Sequence, residues 1–99
     1  MKEKLIKDIG REIAENLFNN GKFEPKNEFT PYSELTDIVR GWIDYKELDE
    51  DVSDEDIYTI RKCFTRYFTE LLKTKTNYKT ELYNCNNNTY LRVWKDTEI

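Results

Sequence analysis

Histidine is absent from the 99-residue chain, and that absence removes whole classes of chemistry. Zinc sites of the Cys/His types lack their nitrogen ligands, and Ser-His-Asp or Cys-His nucleophilic systems lack their base. Catalysis would rest on carboxylates, Lys or Tyr alone. With three glycines in the whole chain, no Gly-rich phosphate loop accompanies them, and no paired carboxylates stand in a recognisable motif. An enzyme is not expected, nor is a metal or cofactor. Cysteine is almost as scarce. Cys63 and Cys85 make no disulfide framework, so both are expected reduced and structural, a facultative helix-to-hairpin link being the alternative.

Long apolar runs are missing as well. Nothing approaches the ~20 consecutive apolar residues of a membrane span, and the start, MKEKLIKDIGRE, has no continuous apolar stretch of the signal-peptide kind. These features predict a cytoplasmic protein, in the host cytoplasm if the chain is viral, with no membrane contact. What is present is 37% apolar and 14% aromatic residues, enough to build one core. A domain of this size buries somewhat over ~60% of its unfolded surface, so a single domain over residues 1–99 is expected.

The net charge of −4 conceals a division along the chain. Residues 1–30 balance. Residues 31–56 set Arg40 and Lys46 against ten acids, whereas residues 57–99 set eight basic groups against four acids. A partner surface for an anion therefore belongs to the C-terminal half.

Periodicity supplies the elements. Leu5, Ile6, Ile9, Ile13, Leu17 and Phe18 recur at spacings of three and four, so residues 3–19 form an amphipathic helix ended by Asn19-Asn20-Gly21. Gly10, inside it, weakens the helix by up to ~1 kcal/mol and suits a close approach. Residues 22–29 contain a proline and no helical period, which reads as a connection with a short edge strand at most. Thr30 is expected to cap a second helix with Pro31 in its first position, buried along Leu35, Ile38, Val39, Trp42 and Ile43. Trp42 is the largest core contribution expected.

The segment Asp44–Asp56 is acidic, and Ser53 or Asp54 is expected to cap a third helix whose acids at 54, 55 and 56 complement the helix dipole. A calcium loop of the helix-loop-helix type would need a central glycine, and this segment has none. The third helix, Asp54–Lys75, places Ile57, Ile60, Phe64, Phe68 and Leu71 on one face, with Tyr67 and Leu72 on the flanks. Its other face carries Tyr58, Lys62, Thr65, Arg66, Thr69 and Lys73. Residues 78–95 alternate about an Asn-rich turn, Asn84–Asn88, and predict a hairpin with Lys79, Glu81, Tyr83, Arg92 and Trp94 turned outward.

A Lys/Arg/Thr face taken alone is what any solvated helix carries. Its weight comes from agreement: it follows two core helices, precedes a hairpin and contrasts with an acidic segment elsewhere. Three helices and a two-stranded β-hairpin form an α+β fold in the order of a winged helix-turn-helix. In such a fold Lys62, Arg66 and Lys73 donate to phosphates or guanine edges, and Thr65 and Thr69 reach bases. Tyr58 belongs to the same stripe. Lys79, Arg92 and Lys95 would clamp phosphate from the wing, and the Asn86–Asn88 tip, Asn87 at its centre, would reach a minor groove.

The segments TPYSELTDIVRGWID, VSDEDIYTIRKCFTRYF and NTYLRVWK carry a hydroxyl ahead of Glu34-Leu35, a Trp late in the second helix and a Tyr-x-Arg-Val closing strand. In these features residues 30–95 resemble the winged-helix modules of phage, plasmid and large-DNA-virus replication and partition proteins. The resemblance implies Lys62, Arg66, Thr69 and Lys73 as recognition-helix residues, with Lys79 and Arg92 in the wing. It also implies a regulator, centromere binder or replication accessory acting on double-stranded DNA, commonly as a homodimer on repeated half-sites. The alternative is a small phage-type inhibitor that binds a host protein through Asp44–Asp56, using the acids as a mimic of phosphate charge.

Overall fold

The structure is a computed structural model that describes residues 2–20, 26–47, 52–86 and 88–95, with residues 26–29 described by their backbone. Helix α1 spans Glu3–Asn20, strand β1 Lys26–Pro31, helix α2 Tyr32–Tyr45, helix α3 Asp54–Lys75, and strands β2 and β3 Tyr78–Cys85 and Asn88–Lys95. The result is an α+β fold of three helices and a three-stranded antiparallel sheet in the order β1-β3-β2.

The third strand is the main departure from the expected two-stranded hairpin. The connection before α2 carries the short edge strand that its sequence allowed and extends it through Thr30 and Pro31: Thr30 pairs with Leu91 and Pro31 with Tyr90, with an irregularity in the register between Lys26 and Phe29. Proline lacks a backbone donor, and an edge strand is where a sheet tolerates it. Thr30 and Pro31 therefore end a strand instead of opening a helix. Helix α2 starts at Tyr32 behind an extended Pro31, with no side-chain cap. The hairpin itself is longer than its alternation suggested, because pairing continues to Cys85 and Asn88. Asn86 takes a φ of 50°, a left-handed conformation that asparagine accepts more readily than most residues.

Helix α3 begins as expected. Ser53 Oγ accepts from the Asp56 amide at 3.1 Å, and Asp56 Oδ2 accepts from the Ser53 amide at 3.3 Å. This capping box satisfies two otherwise unpaired donors at once. Its apolar face joins Ile57, Ile60, Phe64, Phe68 and Leu72 to Ile9, Ile13 and Ala14 of α1, Leu35 and Val39 of α2, and Leu91 and Val93 of β3. Leu72 is the buried member of the final pair and Leu71 packs at the edge. Phe64 and Phe68, 5.9 Å apart, take the central place assigned to Trp42, which is only half-buried. Burial of each such side chain contributes about 1.5–3 kcal/mol.

Gly10 sets the distance between α1 and α3. A β-carbon there would lie 2.7 Å from Cys63 Cβ and 3.0 Å from the Phe64 backbone nitrogen, so only hydrogen fits. Cys63 and Cys85 are both free thiols. No helix among the described residues is long and apolar enough to cross a membrane.

Candidate nucleic-acid interface

The third helix turns one side toward the hairpin, and a cleft of about 410 Å³ lies between them. Tyr58, Lys62, Thr65, Arg66 and Thr69 line it from α3, Tyr32 from α2, and Leu82 and Thr89 from the hairpin. Five of the six residues expected on the exposed stripe thus share one cavity wall. Lys73, near the end of the helix, is exposed and outside it.

Arg61 completes the wall, and sequence periodicity had not singled it out. Its guanidinium carbon lies 4.6 Å from the Tyr32 ring centre and 4.9 Å from that of Tyr58. Nη1 donates to Thr36 Oγ1 at 2.9 Å, while Nε is buried with no partner. Lys62 Nζ sits 4.4 Å from the Tyr58 ring centre. Cation–π contacts of this kind hold both cations to the same aromatic surface. A second cleft of about 660 Å³ shares Tyr32, Tyr58, Arg61 and Thr89 with the first and opens toward Ser33, Asp37 and Tyr90.

The charge balance of the first cleft is one-sided. Arg61, Lys62 and Arg66 line it, and none of its lining residues is an acid. Four cations elsewhere among the described residues hold carboxylates: Lys7 with Glu3 at 3.5 Å, Arg11 with Asp8 at 3.3 Å, Arg40 with Asp54 at 2.9 Å and Arg92 with Glu81 at 3.5 Å, whereas Lys73 and Lys75 at the end of α3 pair with none. Among the described residues, the three cations of the cleft have no such pair. Five hydroxyl-bearing side chains surround them.

Thr65 is not the exposed contact expected of it. It is 3% exposed, and its hydroxyl makes no hydrogen bond of ordinary geometry. Burial raises the Tyr32 phenol above its ordinary 10.0, and the nearby Thr65 hydroxyl, Arg61 and Lys62 offset part of that rise. Thr69 is half-buried, and its hydroxyl donates to the Arg66 carbonyl at 3.0 Å.

The basic residues of the hairpin do not form one clamp. Lys79 is opposite Trp94 and Arg92 opposite Glu81, whereas Lys95 is opposite Tyr78, one residue out of step. Because strand side chains alternate, Lys79 and Arg92 share one face and Lys95 occupies the other, where its Nζ lies 5.9 Å from the Tyr78 ring centre. Asn87 lies outside the described residues, as do positions 48–51 of the acidic segment. Within that segment Asp56 belongs to the α3 capping box and Asp54 pairs with Arg40. Among the described residues no group of three or more His, Cys, Asp and Glu side chains is placed to hold a metal ion. Comparison with known protein families, curated proteins and solved structures returns no match.

Proposed function

We propose that this protein is a winged-helix DNA-binding protein, with α3 in the major groove and the β2–β3 hairpin along the neighbouring backbone. The observation that carries the proposal is the acid-free cleft between those two elements, where Arg61, Lys62 and Arg66 stand without carboxylate partners. Concentrated cations gain most from a polyanion, since a phosphate backbone releases its condensed counterions on contact. Surrounding hydroxyls add neutral donors of the kind that fix register on phosphate and sugar. The element order and the strand order β1-β3-β2 suit the same reading. A regulatory, partition or replication role on repeated half-sites, with the chain as a homodimer, is the biological form it implies.

The host-protein inhibitor remains the contrasting reading, and the acids it relies on are partly accounted for within the fold. Asp54 and Asp56 serve Arg40 and the α3 cap, so they are less available to a partner.

Fluorescence anisotropy with a random-sequence duplex tests the proposal. Three phosphate contacts predict a loss of affinity of roughly 40-fold between 50 and 200 mM salt, from a slope near −0.9 per contact. Lys62→Glu with Arg66→Glu should abolish binding without unfolding the chain. Salt-insensitive or absent binding by the wild type at low ionic strength refutes the proposal.

A further inference from the structure

Leu82 stands on the wall of the cleft that faces the cations. Its strand is an edge of the sheet in the order β1-β3-β2, and its partner across the ladder is Leu91. Residues directly opposite one another in a ladder point to the same side of the sheet. Leu91 is fully buried in the core shared with the helices, whereas Leu82, out on the edge, is 55% exposed. Leu82 therefore overhangs the core and lines the cleft opposite α3.

We infer that Leu82 is a specificity-determining residue that reads the methyl group of thymine, an inference that rests on the duplex-binding reading proposed above. The two walls of the cleft differ in chemistry. Arg61, Lys62 and Arg66 all belong to α3, and the hairpin contributes Leu82 and Thr89. The Thr89 hydroxyl already donates to Asn84 Oδ1 at 2.9 Å, so its proton is committed within the hairpin. Tyr58, the other exposed apolar side chain of the cleft, holds Lys62 Nζ and the Arg61 guanidinium against its ring. Leu82 is thus the exposed aliphatic group of a cleft that is otherwise cations, hydroxyls and tyrosine rings.

A duplex offers such a group few counterparts. Along the major groove the phosphates are charged and the base edges present donors and acceptors, and the distinctive apolar group is the C5 methyl of thymine. With α3 seated in that groove, the cations of one wall meet the charge of the backbone. Leu82, facing them from the other wall, closes over a methyl. Taking that methyl out of water adds discrimination between bases and leaves every phosphate contact as it was.

Anisotropy titrations with an alternating dA-dT duplex, and with the same duplex carrying deoxyuridine for every thymine, test the inference, since the two differ in covalent structure by methyl groups alone. The wild type should bind the thymine duplex about fourfold more tightly for each methyl contacted. Leu82→Ala and Leu82→Gln should bring the two affinities together, and Leu82→Met should keep them apart. All three variants should retain the wild-type salt slope, because no phosphate contact is lost. More than half of Leu82 is exposed, so these changes spare the core, and an unchanged circular dichroism spectrum checks that they do. Equal affinity of the wild type for the two duplexes overturns the inference. So does a preference that survives Leu82→Ala, which would assign the methyl contact to α3, or a Leu82→Ala chain that weakens both duplexes equally with its preference intact. These outcomes leave duplex binding standing. Absent or salt-insensitive binding of both duplexes by the wild type refutes the duplex reading itself, and the inference with it.

Discussion

Arg61 Nη1 donates to Thr36 Oγ1 at 2.9 Å, and the same threonine hydroxyl donates to the Tyr32 carbonyl at 2.9 Å. One hydroxyl thus joins the first turn of α2 to the middle of α3, and the Tyr32 and Tyr58 rings flank the guanidinium. Lysine keeps the charge but not the planar fork or the stack. Arg61→Lys is expected to lower the unfolding free energy by about 1–3 kcal/mol, the range for a hydrogen bond to a charged group plus a cation–π contact. Urea midpoints at constant slope measure it. An unchanged midpoint would mean that the tie contributes nothing to holding α2 against α3.

The lysines and arginines of α3 are expected to differ by position. Lys62 and Arg66 line the cleft and Lys73 does not. Lys62→Gln and Arg66→Gln should each reduce the slope of log affinity against log salt by about 1. Lys73→Gln should leave the slope within error. Equal effects at all three positions would describe a diffuse basic helix instead of a cleft.

Thr65→Val should separate stability from binding. The hydroxyl is buried with no hydrogen bond, and removing an unsatisfied buried polar group stabilises by about 1 kcal/mol or more. The melting temperature should therefore rise by a few degrees. Duplex affinity should stay unchanged, because the buried hydroxyl is shielded from anything bound in the cleft. A variant that is less stable than wild type would refute the unsatisfied state of this group.

Helix α1, helix α3 and the hairpin were legible because each repeats its own apolar period. Strand β1 was legible only as a short edge strand allowed within residues 22–29, and its extension through Thr30-Pro31 was not, since the pairing with β3 joins distant parts of the chain and Thr30-Pro31 carries the local marks of a helix start. Tertiary pairing overrode local preference there. Thr65 was misplaced for a readable reason: it precedes Leu72 by seven residues, roughly two helical turns, so both lie near one line of the helix. Arg61 sits between the apolar and exposed stripes and drew no notice. Its spacing of three from Tyr58 was visible, but Tyr32 and Thr36 come to it only through the packing of α2 on α3.

Acid should weaken the protein partly through Asp56. The Ser53 backbone amide holds this exposed carboxyl below its ordinary value of 3.8. A depressed folded-state value means that the folded form binds the proton less readily than the unfolded form. The contribution is therefore present above about pH 4 and lost as the pH falls through the folded value. Asp56→Asn should be less stable than wild type at pH 7, and the gap should narrow by pH 2.5. Parallel urea midpoints across that range would show instead that the cap carries no charge effect.

Gly10→Ala tests the contact on which the placement of α3 depends. In an isolated helix this change stabilises by up to about 1 kcal/mol, because alanine is the better helix former. Here the added carbon would meet Cys63 Cβ at 2.7 Å and the Phe64 backbone nitrogen at 3.0 Å, and neither is the loose end of a side chain. Helix α1 must then move away from α3 and open contacts around Ile9, Ile13 and Phe64. The expected outcome is a net loss of about 1–3 kcal/mol, as for overpacked cores, or a fall in melting temperature of roughly 4–8 °C per kcal/mol. Cys63→Ala keeps the offending β-carbon and should not rescue the variant. Cys63→Gly removes it and should recover part of the loss when compared with the Cys63→Gly chain alone, read as a double-mutant cycle. Rescue by Cys63→Ala would place the conflict at the thiol and not at the approach of the two helices.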